Sequence, residues 1–479
     1  MKYQPAIGLE IHVELNTKSK MFCACKNNSE EKTPNLNICP VCLGHPGTLP
    51  VINKDALEKV IKTGLALNCQ ISENSRFDRK NYFYPDLPKG YQISQHFTPL
   101  CKSGFLEIKG RSIRIKEVHL EEDTCKLLHF KNYSLIDCNR AGMPLMELVT
   151  EPDLSSGKEV RMFAQELQLI LRYLGVSNAD MEKGQMRVEV NISVSKEEGK
   201  LGTKTELKNI NSFRSAERAA AYEIKRQQKS LESGKEILQQ TLGWDEKEGK
   251  TVLQREKETA LDYRYFPEPD LPPLSLRLEF LNKIKAEIPE LPEKKRQRLE
   301  AEYHLLEKET EILIQNKDIS EFFEKTISEL PPRLSHKDLE KLIKLTLNYI
   351  ITDLMALLGN ILISDKEFKI TPQNFSDFVM TIFKGKITSK TAKDILKEMF
   401  VTGADPSHII ESRGLVQITD DSEIEKIAKK VISENPKPVL DYKAGKEEVL
   451  QFLIGKVMAA SKGKANPEIA RKLLKKFLL

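Results

Sequence analysis

What this chain lacks narrows its chemistry. No apolar run approaches the roughly 20 residues that span a bilayer, so no membrane helix is expected. The opening MKYQPAIGLEIHVE reads as a strand and not as a signal peptide. A cytoplasmic location is therefore expected, with the eight cysteines as thiols or metal ligands in preference to disulfides. There is no G-x-x-x-x-G-K-S/T and no G-x-G-x-x-G, so a bound nucleotide would use neither a P-loop nor a Rossmann turn. There is no G-x-S-x-G elbow and no Gly/Ser-rich amidase signature. Net charge is also small: 75 Lys/Arg against 70 Asp/Glu, a formal +5, which points to no partner by itself.

What is present is dense chemistry on a few strands. Residues 6–15 (AIGLEIHVEL) alternate. Side chains alternate across a strand, so Ile7, Leu9, Ile11, Val13 and Leu15 share one face. Glu10, His12 and Glu14 share the other. Two carboxylates around an imidazole make a better ligand set than a solvated face. Residues 187–194 repeat the pattern with Arg187, Glu189, Asn191 and Ser193 opposite four aliphatics. Residues 113–122 start in one apolar register (Ile113, Ile115) and resume in another (Val118, Leu120). That shift predicts a bulge near Lys116-Glu117, a device that re-aims side chains. His119, Glu121, Glu122 and Asp123 follow, and Glu147 and Glu151 lie in a second acid-bearing stretch, NRAGMPLMELVTEP. Taken alone these stretches read equally as solvated acidic turns. With the strands, they predict an oxygen-rich pocket with one His, suited to Mg or Mn.

Cys23-x-Cys25 and Cys39-Pro40-x-Cys42 are separated by thirteen residues. Two close pairs joined by a short loop predict a structural four-thiolate zinc site, with iron as the alternative. Cys69, Cys101, Cys125 and Cys138 are expected to be buried thiols.

The organisation predicted is α+β: a large mixed, mainly antiparallel sheet domain over 1–292, a helical domain over 293–404 and a small helical tail over 405–479. A helix is expected from Ser156, where Ser-Gly-Lys-Glu looks like a capping box. Val160, Phe163, Ala164, Leu167, Ile170, Leu171 and Leu174 form its apolar stripe, and Gly175 its stop. A second helix is expected over about 215–233. The end of the chain, 456–479, carries seven Lys/Arg against one Glu, a local +6 that reads as a tRNA footprint or a solvated helix face.

Taken together, IGLEIHVEL, CPVCLGHPGTLPVIN, RKNYFYPDLPKGYQISQ, HLEEDTCK, NRAGMPLMELVTEPD, MEKGQMRVEVNIS, GTKTELKNINSFR and LDYRYFPEPDLPPL resemble the B subunits of tRNA-dependent amidotransferases, from about residue 5 to the KGKANPE near the end. The resemblance implies an ATP- and Mg-dependent enzyme subunit. It would activate the side-chain carboxylate of Glu-tRNA(Gln), Asp-tRNA(Asn) or both. A glutaminase A subunit would supply ammonia and a small C subunit would complete a heterotrimer. The ligands it implies for Mg are Glu10, His12, Glu122 and Glu147, with Glu121, Glu151 and Glu189 in reserve. The family's Arg-Cys-Asp is here Arg187-Val188-Glu189, an acid one methylene longer. Lys80 joins the expected catalytic set. Arg79, Lys80 and Lys89 are expected on phosphates or the aminoacyl end, and Tyr82, Tyr84 and Tyr91 stacked on adenosine. Lys204 and Glu206, with Lys208, Asn209 and Asn211, are further pocket residues or a plain surface strand. Lys462, Lys464, Arg471 and Lys475 are expected to meet the phosphates of tRNA. The rivals are a non-catalytic zinc-containing tRNA-binding scaffold and a stand-alone ATP-dependent ligase.

Overall fold

The structure, a computed structural model, describes residues 3–197, 199–256, 263–359, 361–415, 421–461 and 465–478. It forms two compact units, Met1–Pro292 and Glu293–Leu479. In chain order the strands of the first unit are β1 (Gln4–Glu14), β2 (Gln70–Ile71), β3 (Asn74–Ser75), β4 (Asp78–Asn81), β5 (Tyr91–Ser94), β6 (Cys101–Ile108), β7 (Arg111–Glu122) and β8 (Lys126–His129). Then follow β9 (Ser134–Asp137), β10 (Pro144–Thr150), β11 (Met186–Ser195), β12 (Thr205–Lys208), β13 (Gln240–Asp245), β14 (Lys250–Glu256), β15 (Phe266–Pro267) and β16 (Leu274–Ser275).

Nine of them form one sheet in the order β14-β13-β12-β11-β1-β10-β7-β6-β2. Only β12 and β13 run parallel. The fold is thus α+β with a mixed, mainly antiparallel sheet, as the alternation predicted. β15, β4 and β5 make a separate three-stranded sheet, and β8 with β9 a hairpin.

The alternation of β1 explains its central place. Ile7, Leu9, Ile11 and Val13 are at most 1% exposed and enter one apolar core. Burying each contributes about 1.5–3 kcal/mol. A slip of one residue would push Glu10, His12 and Glu14 into that core, so the register is strongly specified. The helices α1 (Lys54–Ala66), α2 (Gly157–Tyr173) and α3 (Phe213–Glu232) cover this apolar face. The predicted stripe of α2, from Val160 to Leu174, is buried throughout. Its cap differs slightly from the expected box. Ser156 Oγ accepts from the Glu159 amide at 3.3 Å, but Glu159 reaches back to the amide of Ser155, not Ser156. Gly157 is needed there because a Cβ would stand 2.2 Å from the Glu217 carbonyl on α3.

The predicted bulge is present. Val149 pairs with Glu117 and Thr150 with Ile115, so Lys116 is skipped. One cysteine expectation is corrected: Cys125 and Cys138 form a disulfide. They flank the β8–β9 hairpin, which brings their Cα atoms to 4.2 Å, a proximity that their spacing did not reveal. Cys69 and Cys101 are buried thiols, and burial pushes the Cys69 thiol up to about 12.

The second unit is helical. Its last four helices, Asp421–Glu434, Pro436–Lys443, Val449–Ala460 and Pro467–Leu478, share their own apolar cluster around Leu453, Val457 and Leu474. Asn466 caps the last helix by accepting from the Glu468 and Ile469 amides, ahead of Pro467 at the first position. Among the described residues, no helix is long and apolar enough to cross a membrane.

Candidate functional site

The polar face of the large sheet carries a row of directly paired residues. His119 on β7 faces Glu147 on β10, Glu147 faces His12 on β1, and His12 faces Arg187 on β11. Opposite charges in such pairs stabilise a sheet. One step along, Glu10 faces Glu189, and Asn191 faces Glu206 on β12. β10 joins the row from between β1 and β7, and its Met146 and Leu148 anchor it in the core.

Three groups of ligand atoms result, each within 4.8 Å of one another: Glu10, His12 and Glu147; His119, Glu121 and Glu147; and Glu10, Glu189 and Glu206. His12 Nε2 lies 3.2 Å from Glu121 Oε1 and 3.5 Å from Glu147 Oε2. His119 Nε2 lies 3.3 Å from the same Glu147 oxygen, and its Nδ1 is buried with no hydrogen-bond partner. Lys208 bridges Glu189 at 2.8 Å and Glu206 at 3.3 Å.

The electrostatics follow from this crowding. Burial, then the Glu147 and Glu189 carboxylates, push Glu10 up to about 7. Burial opposes charge on His12, but hydrogen bonds to Glu121 and Glu147 outweigh it and push the imidazole up to about 10. Burial likewise works against Glu147, yet His119 and His12 hold it well below the usual carboxylate range. The face therefore holds carboxylates that local cations neutralise only in part.

The expected residues do not all meet here. Glu10, His12 and Glu147 do. Glu122 does not. Alternation turns it to the side of Leu120, where its Oε1 pairs with Lys89 and accepts from the Ile93 amide at 2.9 Å. Its neighbour Glu121 stands beside His12 instead. Glu122 and Lys89 line a cavity of about 100 Å³ with Cys23, Cys42 and Tyr91. Lys80, on β4, is close enough to Glu121 and Glu147 that their charges outweigh its burial and raise its pKa. It also lies 5.2 Å from the Tyr263 ring centroid.

Arg79 is occupied otherwise than expected. Its guanidinium forks onto Glu268 at 2.7 and 2.8 Å, reaches Asp270 at 3.2 Å and stacks 4.2 Å from the Tyr91 centroid. It clamps together the two aromatic-proline-acid segments that echo each other in the sequence, through the pairing of β4 with β15. Tyr82 meets Tyr263 edge-on at 6.1 Å, whereas Tyr84 is 53% exposed. Glu206 accepts from Thr241 at 3.0 Å, and Lys204 is exposed just ahead of β12. Arg471 and Lys475 are exposed on the last helix; Lys462 and Lys464 lie outside the described residues.

Sequence reasoning missed Tyr263 and Tyr265, the latter stacked on His96 at 3.9 Å. It also missed the clamp on Asp123, which Arg140 holds at 2.7 Å and Arg187 at 3.2 Å. Burial opposes that charge, but the two arginines pull Asp123 down to about 2. The Asp123 main chain pairs with Met143 and Gly142, which fixes the end of β7 against the start of β10.

The four sulfurs of Cys23, Cys25, Cys39 and Cys42 lie within 4.8 Å of one another. The Cys39 amide donates to Cys42 Sγ at 3.2 Å. Hydrogen bonding from Cys23 pulls Cys42 down to about 5 despite its burial.

Comparison with known proteins agrees with this geometry. Residues 5–282 match the GatB/GatE catalytic domain, and residues 313–478 match the GatB domain. The B subunit of the aspartyl/glutamyl-tRNA(Asn/Gln) amidotransferase of Thermotoga neapolitana is 49% identical over 100% of this chain and 99% of its own length. The proteins of the same name from Persephonella marina and Dehalococcoides mccartyi are 47% and 46% identical, over 100% of this chain and 100% and 99% of theirs. A sheet face of paired acids and histidines, matched from end to end by such relatives, places the chain in the GatB family of amidotransferase B subunits.

Proposed function

We propose that this chain activates the side-chain carboxylate of Glu-tRNA(Gln), Asp-tRNA(Asn) or both with ATP, and that the amide is then formed with ammonia from a partner glutaminase subunit. The observation that carries the proposal is the row His119–Glu147–His12, flanked by Glu10 and Glu121, on one sheet face. A carboxylate becomes an amide at neutral pH only after its oxygen is made a leaving group. ATP as substrate provides the phosphoryl group, and a divalent cation, when bound, neutralises charge on phosphate oxygens.

Glu10, His12, Glu147 and Glu121 would hold that cation. The donor set fits Mg: oxygen ligands with one imidazole. The raised pKa of Glu10 marks a deficit of positive charge that a divalent ion meets. In its absence the imidazolium of His12 holds Glu121 and Glu147 together. Lys80 orients anionic oxygens over the same carboxylates, and Tyr82, Tyr263 and Tyr265 offer ring faces for a base. Lys89 and Glu122 occupy the neighbouring cavity as a paired donor and acceptor. The set of four cysteines fits structural zinc, because four thiolates leave no open position. Arg471 and Lys475 would meet tRNA phosphates. We further propose assembly with A and C subunits in the cytoplasm, since nothing in the sequence resembles an amide-hydrolysing elbow.

A scaffold without chemistry is disfavoured by the acid face, because carboxylates repel phosphate unless a cation intervenes. The test is amide formation on misacylated tRNA by the complex of this chain with its partners, using ammonium chloride in place of glutamine. Wild type should require ATP and Mg, and His12→Ala should lose amide formation while the partner's glutamine hydrolysis persists. Full activity of His12→Ala with ammonia would overturn the site.

A further inference from the structure

Lys20 is fully buried, at 0% exposure. A buried ammonium is costly unless an anion answers it. Among the described residues no carboxylate pairs with Lys20. Its Nζ instead lies 3.8 Å from Cys42 Sγ and 3.4 Å from the Cys138 carbonyl. The nearby acid Glu122 is already paired with Lys89. The main chain of Lys20 belongs to the same knot, its amide donating to the Cys25 carbonyl at 2.9 Å.

The charge these contacts call for is available in one form. Four thiolates around a divalent ion carry a net charge of about minus two, and one ammonium at sulfur-contact distance offsets half of it. Four neutral thiols would leave Lys20 without a counter-charge. We propose that Lys20 is a positioning residue of the Cys23, Cys25, Cys39 and Cys42 metal centre, donating to Cys42 Sγ and compensating the surplus charge of the tetrathiolate. This rests on the reading of those cysteines as a metal site.

The placement also ties that centre to the loop behind β10. Lys20 reaches Cys138, the Met21 amide donates to the Gly142 carbonyl at 2.7 Å, and the Gly142 amide donates to the Asp123 carbonyl at 2.9 Å. Gly142 has φ +79°, and a Cβ there would stand 3.3 Å from Cys42 Cβ. The sulfur centre, Lys20 and the loop that closes β7 against β10 are therefore packed as one block.

The test uses the full chain, stripped with a chelator and titrated with Co²⁺ or Zn²⁺ alone. Wild type should take up one ion per chain with intense sulfur-to-cobalt bands. Lys20→Met should bind about 10–100-fold more weakly, as is usual when a hydrogen-bond partner of a ligand is lost. Its bands should move to lower energy, because a thiolate without its donor is more electron-rich. Lys20→Arg should recover most of the affinity. If wild type takes up no ion, the metal reading itself fails and the role of Lys20 falls with it. If wild type binds and Lys20→Met matches it in affinity and spectrum, only the role of Lys20 is overturned. Should Lys20→Met not fold, acylation of wild type decides. Lys20 should react several-fold faster after metal removal, and equal rates with and without metal refute the proposal.

Discussion

Replacing Glu147 by Gln is the most discriminating perturbation of the sheet face. One Glu147 oxygen contacts both His12, at 3.5 Å, and His119, at 3.3 Å, and the side chain is 13% exposed. Gln keeps the shape and removes the charge. Breaking a buried ion pair usually costs about 3–5 kcal/mol. Two features reduce that here: His12 keeps Glu121, and Glu10 loses a repulsive neighbour. A stability loss of about 1–3 kcal/mol is therefore expected. The effect on cation binding is larger in proportion, because one of few anionic ligands disappears from a small site. Losing even a supporting partner costs about 10–100-fold, so a ligand should cost at least about 100-fold, or about 2.7 kcal/mol. The assay is Mn²⁺ titration followed by electron paramagnetic resonance, with thermal melts in parallel. Amide formation on misacylated tRNA should fall with occupancy and recover in part at high Mg. If Glu147→Gln binds Mn²⁺ as wild type does, the row is a structural salt-bridge network and not a cation site.

Cation binding should strengthen with pH. His12, pushed up to about 10, must lose its proton to ligate, so affinity should rise about tenfold per unit between pH 7 and 9. Below 7 Glu10 is protonated too, and the slope should approach two; isothermal titration across pH 6–9 with no pH dependence refutes the proton competition. Glu121→Gln and Glu122→Gln should separate: the first weakens Mn²⁺ binding, the second leaves it nearly intact and disturbs the Lys89 cavity. Equal loss in both would show that strand alternation does not divide their roles. Arg471→Glu with Lys475→Glu should weaken tRNA binding and flatten its salt dependence, since each removes a cation from an exposed helix face. An unchanged salt slope assigns tRNA contact elsewhere.

The sequence was most legible where periodicity and burial coincide. The apolar stripe of α2, the alternation of β1 and β11 and the skip at Lys116 all follow from side-chain direction along one element. Glu10, His12 and Glu147 met because they fall on one parity of neighbouring strands. Glu122 illustrates the limit. In HLEED the acids are adjacent, and only the register of β7 against β10 decides which one faces His12. Arg79 shows another limit. A cation on an aromatic loop reads as a ligand group, but Glu268 lies 189 residues away in sequence and takes its guanidinium. The Cys125–Cys138 pair was hidden for the same reason, since a hairpin between them brought them together. Tertiary pairing, not local propensity, supplied each of these outcomes.

The position of β1 in the middle of the nine-stranded sheet has a consequence during synthesis. Both its neighbours, β10 and β11, lie far downstream in the chain. At roughly 5–20 residues per second, β1 waits on the order of ten to forty seconds before Glu189 exists to face Glu10. Through that interval it is a free strand with two open edges and one strongly apolar face, the pattern that promotes aggregation. Glu10, His12 and Glu14 then act as gatekeepers, since charged residues at every second position discourage pairing with other nascent strands. The acids that serve the mature face thus protect the emerging polypeptide before that face has formed.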